Sequence, residues 1–387
     1  LIPETAPGVA ELRRDPEQAL LAASELGELV WVRVGRRRLL LVSGPDGARE
    51  ALVERAGDLA KPRSQAIPLG RRAPAVPNAR LSPGALRRAL SKGMGADSAE
   101  QTARGLGTAV AESAAAWRDG ESVALLPWLR PLVARAVVRG AFASDLSGEE
   151  LERLAGVVAW AGRTPRVSRS GPTRHGIQRP FVLAQLSLVV RSLLANADRS
   201  RPSELSALEG LDRRERQALA GELLLGAVGP LVQESGWALF RLGTEPEPAD
   251  MEAFVREVTR LHPTNPLLAR VATAGTSIGG EPVAAGSLVV VNVAALHRDP
   301  AVYAEPERFL PERWLDGRTA EHRFSYAAFG IGDRRCLGET IALRSLVALL
   351  ETVSAEWHLS FDTVDVAAQG RRQLSDDVRA VVSRARG

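Results

Sequence analysis

Only one cysteine, Cys336, occurs in 387 residues, and only Lys61 and Lys92 among the 50 basic residues are lysine. A lone thiol excludes an internal disulfide framework and any zinc site made of cysteines alone. No run of about 18 apolar residues is present, so no membrane-spanning helix is expected. The opening LIPETAPGVAELRRDP lacks a basic start and a continuous apolar core, so no signal peptide is read in it. These absences together favour a reducing, cytoplasmic setting. Net charge is a dispersed +4, too small to argue for a nucleic-acid partner. Internal repeats, low-complexity segments and an obvious linker are lacking as well.

What is present is ordinary for a folded chain, with hydrophobic residues at 45% and charged residues at 25%. The length allows one large domain or two ordinary ones. Arginine in place of lysine, with abundant alanine, is the mark of a GC-rich bacterial genome. LVWVRVGRRRLLLVSG reads as two short strands turning at Gly35, and PDGAREALVERAG as the helix after them. Residues 62–82 are Pro-rich and irregular. From about Pro83 to Leu242 the pattern is mostly helical, with breaks at Gly93, Gly120, Gly140 and a 162–180 loop. ADMEAFVREVTRLHP is a further helix, stopped by Pro263. LLARVAT and EPVAAGSLVVVNVAAL read as strands around a turn, LGETIALRSLVALLETVSAEW as a helix, and the tail as a strand pair. This is one domain over residues 1–387, mainly α with a minor β part.

Cys336 lies in AAFGIGDRRCLGE. A thiol binds metal as thiolate, so its surroundings must favour negative charge. The start of the following helix does so, and Arg334 and Arg335 add positive charge. Gly330, Gly332 and Gly338 allow a tight loop that a flat ligand can approach closely. By itself a single cysteine is most often a small buried hydrophobe. The spacing F-x-x-G-x-R-x-C-x-G, filled by Phe329, Gly332, Arg334, Cys336 and Gly338, resembles the haem-binding loop of the cytochrome P-450 superfamily.

That resemblance implies haem b (iron protoporphyrin IX) with Cys336 as the iron ligand, whose thiolate pushes electron density towards O–O cleavage. It implies a haem propionate on Arg334, and Phe329 beside the sulfur. Three further motifs fall in the expected order. REVTR supplies Glu257 and Arg260 at i, i+3, and FLPERW supplies Arg313, together matching the family's Glu–Arg–Arg network. Arg270 matches a second propionate arginine. LHRDPAVYAEPERF resembles the segment that precedes the cysteine loop. The third propionate contact falls in GALRRALSK, on Arg87 or, as the single choice, Arg88. The family's fold places haem between the central helix, about 213–242, and the Cys336 loop. Ala227, Val228, Gly229, Pro230 and Glu234 then line the distal side, and Asn265 and Leu268 touch substrate.

One departure bears on chemistry. The family carries an acid and a threonine on the central helix for proton delivery, and here Gly229 and Pro230 stand there. Neither side chain relays protons, and proline removes an N–H and kinks the helix. Two readings follow. Either water, the substrate or Glu234, four residues on, replaces the relay in a monooxygenase. Or the chemistry is independent of O2: peroxide-driven oxidation, or rearrangement or nitrogen-group transfer from a substrate with a preactivated N–O or O–O bond. A non-catalytic haem sensor or scaffold is the third class. With no reductase domain in the chain, monooxygenation implies a ferredoxin and its reductase as partners.

Three other features have plainer readings. GTSIG fits the G-x-S-x-G of hydrolases, but no helix follows, so Ser277 is read as part of a β-turn. Arg163, Arg166, Arg169, Arg174, Arg179 and His175 cluster where the family's pocket lid lies, as a solvated loop or an anion-recognition patch. His262 and His297 sit inside structural motifs and are assigned to no metal.

Overall fold

Consecutive apolar residues, which bury both faces of the strands, decide the packing of the sheet. The computed structural model describes residues 2–6, 16–34, 37–62, 83–163, 174–315, 324–361 and 373–385. The chain forms two compact units. The first, residues 1–66 and 256–336, is built on a six-stranded sheet in the order β1-β2-β3-β9-β6-β4. Its strands are β1 (Glu4–Thr5), β2 (Leu29–Val34), β3 (Arg37–Val42), β4 (Leu59–Ala60), β6 (Leu267–Ala272) and β9 (Leu288–Asn292). β3 pairs in parallel with β9, and β9 pairs antiparallel with β6, setting Arg270 opposite Val289.

Successive side chains on a strand point to opposite faces, so each face has its own core. Val30, Val32, Leu39, Leu41 and Val290 pack with Ala19, Leu20 and Ala23 of helix α1 (Pro16–Ser24). Leu40, Val42, Val289 and Val291, one residue out of phase, pack on the other face with Leu52, Ala327 and Ile331. Leu268 packs against this second cluster. Both strands of the LVWVRV…RRLLLV pair therefore form a sheet buried on two sides. The helix after them is less regular than its sequence: α2 (Pro45–Arg49) passes into a π-helical turn, Glu50–Glu54. GTSIG forms a hairpin of β7 (Thr276–Ile278) and β8 (Glu281–Val283), with Ser277 opposite Pro282. No strand–turn–helix is made there, so the nucleophile motif has no structural support.

The second unit, residues 67–255 and 337–387, is mostly helical. Its helices include α3 (Pro83–Gly93), α4 (Ala96–Ala114), α5 (Leu125–Gly140), α6 (Gly148–Arg163), α7 (Arg174–Ala195) and α8 (Arg213–Thr244). Helix α9 (Met251–Leu261) contributes its start to this unit and its end, from Arg256, to the first. After the four-residue helix α10 (Val293–Leu296) of the sheet unit comes α11 (Glu339–Ser354), which closes against α4. The tail pairs as β10 (Trp357–Phe361) and β11 (Arg379–Arg384), joined by β5 (Ser122–Ala124). Helix α8 opens with a capping box in which Asp212 accepts from the Glu215 amide and Glu215 returns a contact to the Asp212 N–H. Both ends of the expected 162–180 break are helical, in α6 and α7, and residues 164–173 lie outside the described residues. Among the described residues, α8 alone is long and apolar enough to span a membrane, and two-thirds of its apolar window is buried inside the protein.

Candidate functional site

Three groups of residues build the candidate site of the sheet unit. The first is the Glu257 network. Arg260 donates Nε–H and Nη2–H to the two oxygens of Glu257, both at 2.8 Å, and both residues are wholly buried. Arg313 Nε donates to Glu257 at 3.1 Å, Trp314 Nε1 at 3.0 Å and the Leu310 amide at 2.9 Å. The remaining N–H groups of Arg260 reach the carbonyls of His297, Pro306 and Arg308. Burial pushes the Glu257 carboxyl up, but the hydrogen bonds and charge of Arg260, with Leu310 and Arg313, outweigh it. The group stays below the usual carboxylate range. An i, i+3 pair that is ordinary at a surface is here a closed, dry network.

The second group fastens this network to the cysteine loop. His297 is wholly buried; its Nδ1 meets the Arg260 carbonyl at 2.7 Å and its Nε2 accepts the Ala327 N–H at 2.8 Å. An imidazole can serve both only when neutral, with its proton on Nδ1. Burial, against the raising effect of the Arg260 carbonyl, holds its pKa down at about 3. Tyr326 stacks on His297 and shares a 2.6 Å hydrogen bond with Thr259, and Trp314 meets its ring edge-on. The sequence marked this segment only as resembling its family counterpart. The pairing of His297 with Ala327, 30 residues apart, has no local sequence signal.

The third group is the loop itself. The Cys336 N–H donates to the Phe329 carbonyl at 2.7 Å, closing the loop, and Cys336 is exposed. Gly330 and Gly332 have φ of +75° and +70°, which glycine adopts without strain. A Cβ on Gly332 would also come within 2.7 Å of the Leu52 carbonyl. The π-helical turn thus seats the loop, a role the sequence did not reveal. Gly338 is different: its φ is −86°, so it caps α11 without needing the left-handed region.

Arg270 is buried and Arg334 exposed. Arg270 lies on β6, 7% exposed, and its side chain makes one hydrogen bond, to the Ala269 carbonyl. Burial, and then the nearby positive charge of Arg334, press its guanidinium down to about 10. Neither arginine has a carboxylate partner among the described residues. A guanidinium offers five donors and is a poor tenant of a buried site without an anion. An exposed thiol on a glycine loop, with two like charges awaiting an acid, fits a ligand with a soft-metal centre and carboxylate arms. On the same sheet, Leu268 shares the face of Arg270 by register, while Asn265 is exposed just before β6.

In the helical unit, α8 carries the residues expected over the ligand. Gly226, Ala227, Pro230 and Gln233 recur at helical spacing as its less buried stripe, flanked by Gly229. Val228 is fully buried, off that stripe, because one residue turns about 100° around the helix. Glu234 is also buried. Gln233, which sequence reasoning passed over, exchanges hydrogen bonds with the backbone of Leu374. Arg87 is half-buried, whereas Arg88 is exposed on the wall of a cleft with Lys92, Arg199 and Arg201. By sequence, Arg88 is the single choice for the third propionate contact, and Arg87 its alternative. Of the arginine-rich stretch, Arg166 and Arg169 lie outside the described residues; Arg163, Arg174, His175 and Arg179 are placed only as backbone of α6 and α7.

Comparison with known proteins adds family evidence. The family model for cytochrome P-450 matches residues 251–368. Cyclooctat-9-en-7-ol 5-monooxygenase of Streptomyces melanosporofaciens is 37% identical over 106 residues, 27% of this chain and 23% of that protein. Mitochondrial cytochrome P-450 11B1 of Sus scrofa is 39% identical over 128 residues, 32% of this chain. The chain thus spans about a quarter of the length of these relatives, 23% and 25%. Cyclooctatin synthase of the same Streptomyces is 26% identical across 90% of this chain and 86% of its own length. Among solved structures, CYP175A1 of Thermus thermophilus superposes with a TM-score of 0.79 at 20% identity, covering both chains fully. Cytochrome P450EX alpha with myristic acid does so at 0.78 and 18%, also over both whole chains. At such identities these two show the fold. With the cysteine loop, the Glu–Arg–Arg network and the matched fold in place, the chain belongs to the cytochrome P-450 superfamily.

Proposed function

We propose that the protein is a haem-thiolate monooxygenase acting on a small organic substrate, with Cys336 as the ligand of haem b. The observation that carries this reading is the pair of cations, Arg270 and Arg334, left without acid partners beside a thiol loop. Two propionates would supply the missing negative charge through charge-assisted hydrogen bonds. When bound, the haem iron supplies the oxidation chemistry. The chain's own residues bind and orient. The Phe329 carbonyl and the His297–Ala327 bond fix the loop that carries Cys336. Leu268 and Asn265 orient substrate, and Ala227 and Gly229 give it room on α8. We assign the third propionate contact to Arg87, since Arg88 faces the cleft. Similarity to cyclooctatin synthase along most of the chain supports a specialised metabolite as substrate. Electrons then come from a separate ferredoxin and its reductase.

Proton handling is the atypical part. Gly229 and Pro230 hold no proton, so Glu234 or water delivers it. A second reading, oxidation independent of O2, is favoured by the same Gly229–Pro230 pair. The ferrous–CO spectrum is the first test: wild type shows the thiolate signature and Cys336→Ala loses it. Retention of that signature in Cys336→Ala would refute the ligand assignment. Product formation with O2 and a ferredoxin system supports monooxygenation. Product formed only with added peroxide or with preactivated substrates supports the second reading. Turnover of any kind excludes a mere sensor.

A further inference from the structure

The helical unit carries a concave site in which five basic side chains outnumber two carboxylates, Asp198 and Glu209. One lobe, of about 730 Å³, is walled by Arg88 and Lys92 of α3 and by Arg199 and Arg201 of the segment after α7. A neighbouring lobe, of about 470 Å³, shares Arg199, Ser206 and Glu209 with it and adds Arg216 of α8. Both volumes lie in the range of small-molecule sites. None of the five basic side chains forms an ion pair among the described residues, although arginines elsewhere in the chain commonly do. Nε of Arg216 is buried and has no hydrogen-bond partner, and its Nη2 reaches only the Leu211 carbonyl. A buried donor without an acceptor is costly, and it points to an acceptor that is supplied from outside.

The walls are held in place. A Cβ at Gly93 would run into the backbone of Ser203, so α3 lies directly against the segment opposite. That segment is tied to the end of α5 by the Asp198 N–H to the Ala143 carbonyl, 2.7 Å, and the Glu204 N–H to the Ala141 carbonyl, 3.1 Å. Asp198 gives its hydrogen bonds to Ser200, accepting the N–H and hydroxyl at 2.9 and 2.6 Å, and acts on Arg201 through space without an ion-pair contact. Among the described residues, Glu209 is the only other carboxylate of the lining, which leaves the cleft positive. No aromatic side chain among them lines either lobe, so a nucleobase has nothing to stack on.

We propose that this cleft is a binding site for a small, multiply charged phosphate-type anion, held by Arg199 and Arg201 from the loop, Lys92 and Arg88 from α3, and Arg216 from α8. Planar guanidinium forks suit tetrahedral oxyanions, and five donors on three elements favour a diphosphate over a single carboxylate. The site lies within the helical unit and is independent of the haem-thiolate reading.

Isothermal titration of the full chain with inorganic pyrophosphate tests it, in a buffer of fixed ionic strength. One saturable site is expected. Arg199→Ser with Arg201→Ser should weaken it about tenfold or more, and Arg216→Gln about tenfold. Arg199→Lys, which keeps the charge and loses the fork, should weaken binding less than the double serine variant, and the CO spectrum of all variants should match wild type, which separates a lost site from a lost fold. No saturable binding, equal binding in the variants, or displacement by chloride as readily as by phosphate would overturn the proposal.

Discussion

Two sets of buried arginine in the sheet unit differ in one respect. Arg260 finds Glu257 and three carbonyls, while Arg270, nearly as buried, finds one carbonyl and a like charge in Arg334. Evicting a charge from water costs several kcal/mol and is tolerated only when partners replace that water. Arg260 is therefore satisfied within the protein's own structure, and Arg270 is the residue we propose for a bound anion. The same criterion separates the ion-paired surface arginines from the basic residues of the helical cleft. Counting partners distinguishes architectural cations from ligand-binding ones where residue type cannot.

Breaking each side of that comparison should give different signatures. Cys336→Ala has the largest expected effect, complete loss of thiolate-dependent turnover and of the CO signature with little change in haem-free stability. Glu257→Ala comes next. Removing one partner of a buried network costs about 3–5 kcal/mol, and urea unfolding should show that loss with and without haem alike. Arg270→Leu should weaken haem binding by about tenfold to a hundredfold, the range of a charge-assisted hydrogen bond, read as a faster transfer of haem to an acceptor protein.

A smaller effect sharpens the comparison through pH. His297 has a folded pKa of about 3, below its ordinary 6.5, so the unfolded chain binds the extra proton between those values. Its contribution is present above pH 6.5 and is lost as pH falls towards 3. Glu204, a buried carboxyl in the helical unit, is raised by desolvation to about 8. Its sign is opposite: the contribution is full below about pH 4.5 and is lost as pH rises through 8. Urea midpoints across pH should lose the acid limb in His297→Gln and the neutral limb in Glu204→Gln. Unchanged limbs would place the titration elsewhere.

Much of this was legible because it is local. F-x-x-G-x-R-x-C-x-G, E-x-x-R and the PERW arginine are short patterns whose spacing carries their geometry. The strand pair LVWVRV and RRLLLV and the helix after Cys336 were legible as well, whereas the burial of that sheet on two faces and the capping box of α8 emerge only in the structure. What escaped depends on long-range contact. The His297–Ala327 bond, the π-helical seat under Gly332 and the burial of Val228 come from packing that no window of sequence contains. Arg87 and Arg88 are adjacent in sequence, yet one is half-buried and the other exposed. The basic cleft joins residues from 88 to 216 and appears in sequence as scattered arginine.

The most direct test of the central claim is the stability gained on loading haem, measured as the difference in unfolding midpoint between haem-loaded and haem-free protein. Wild type and Arg270→Leu are compared. Haem-free Arg270→Leu should be as stable as wild type or more so, because an uncompensated charge is gone, and its haem-dependent gain should shrink. An equal loss in both states, with the gain intact, would make Arg270 a structural residue like Arg260 and contradict the account.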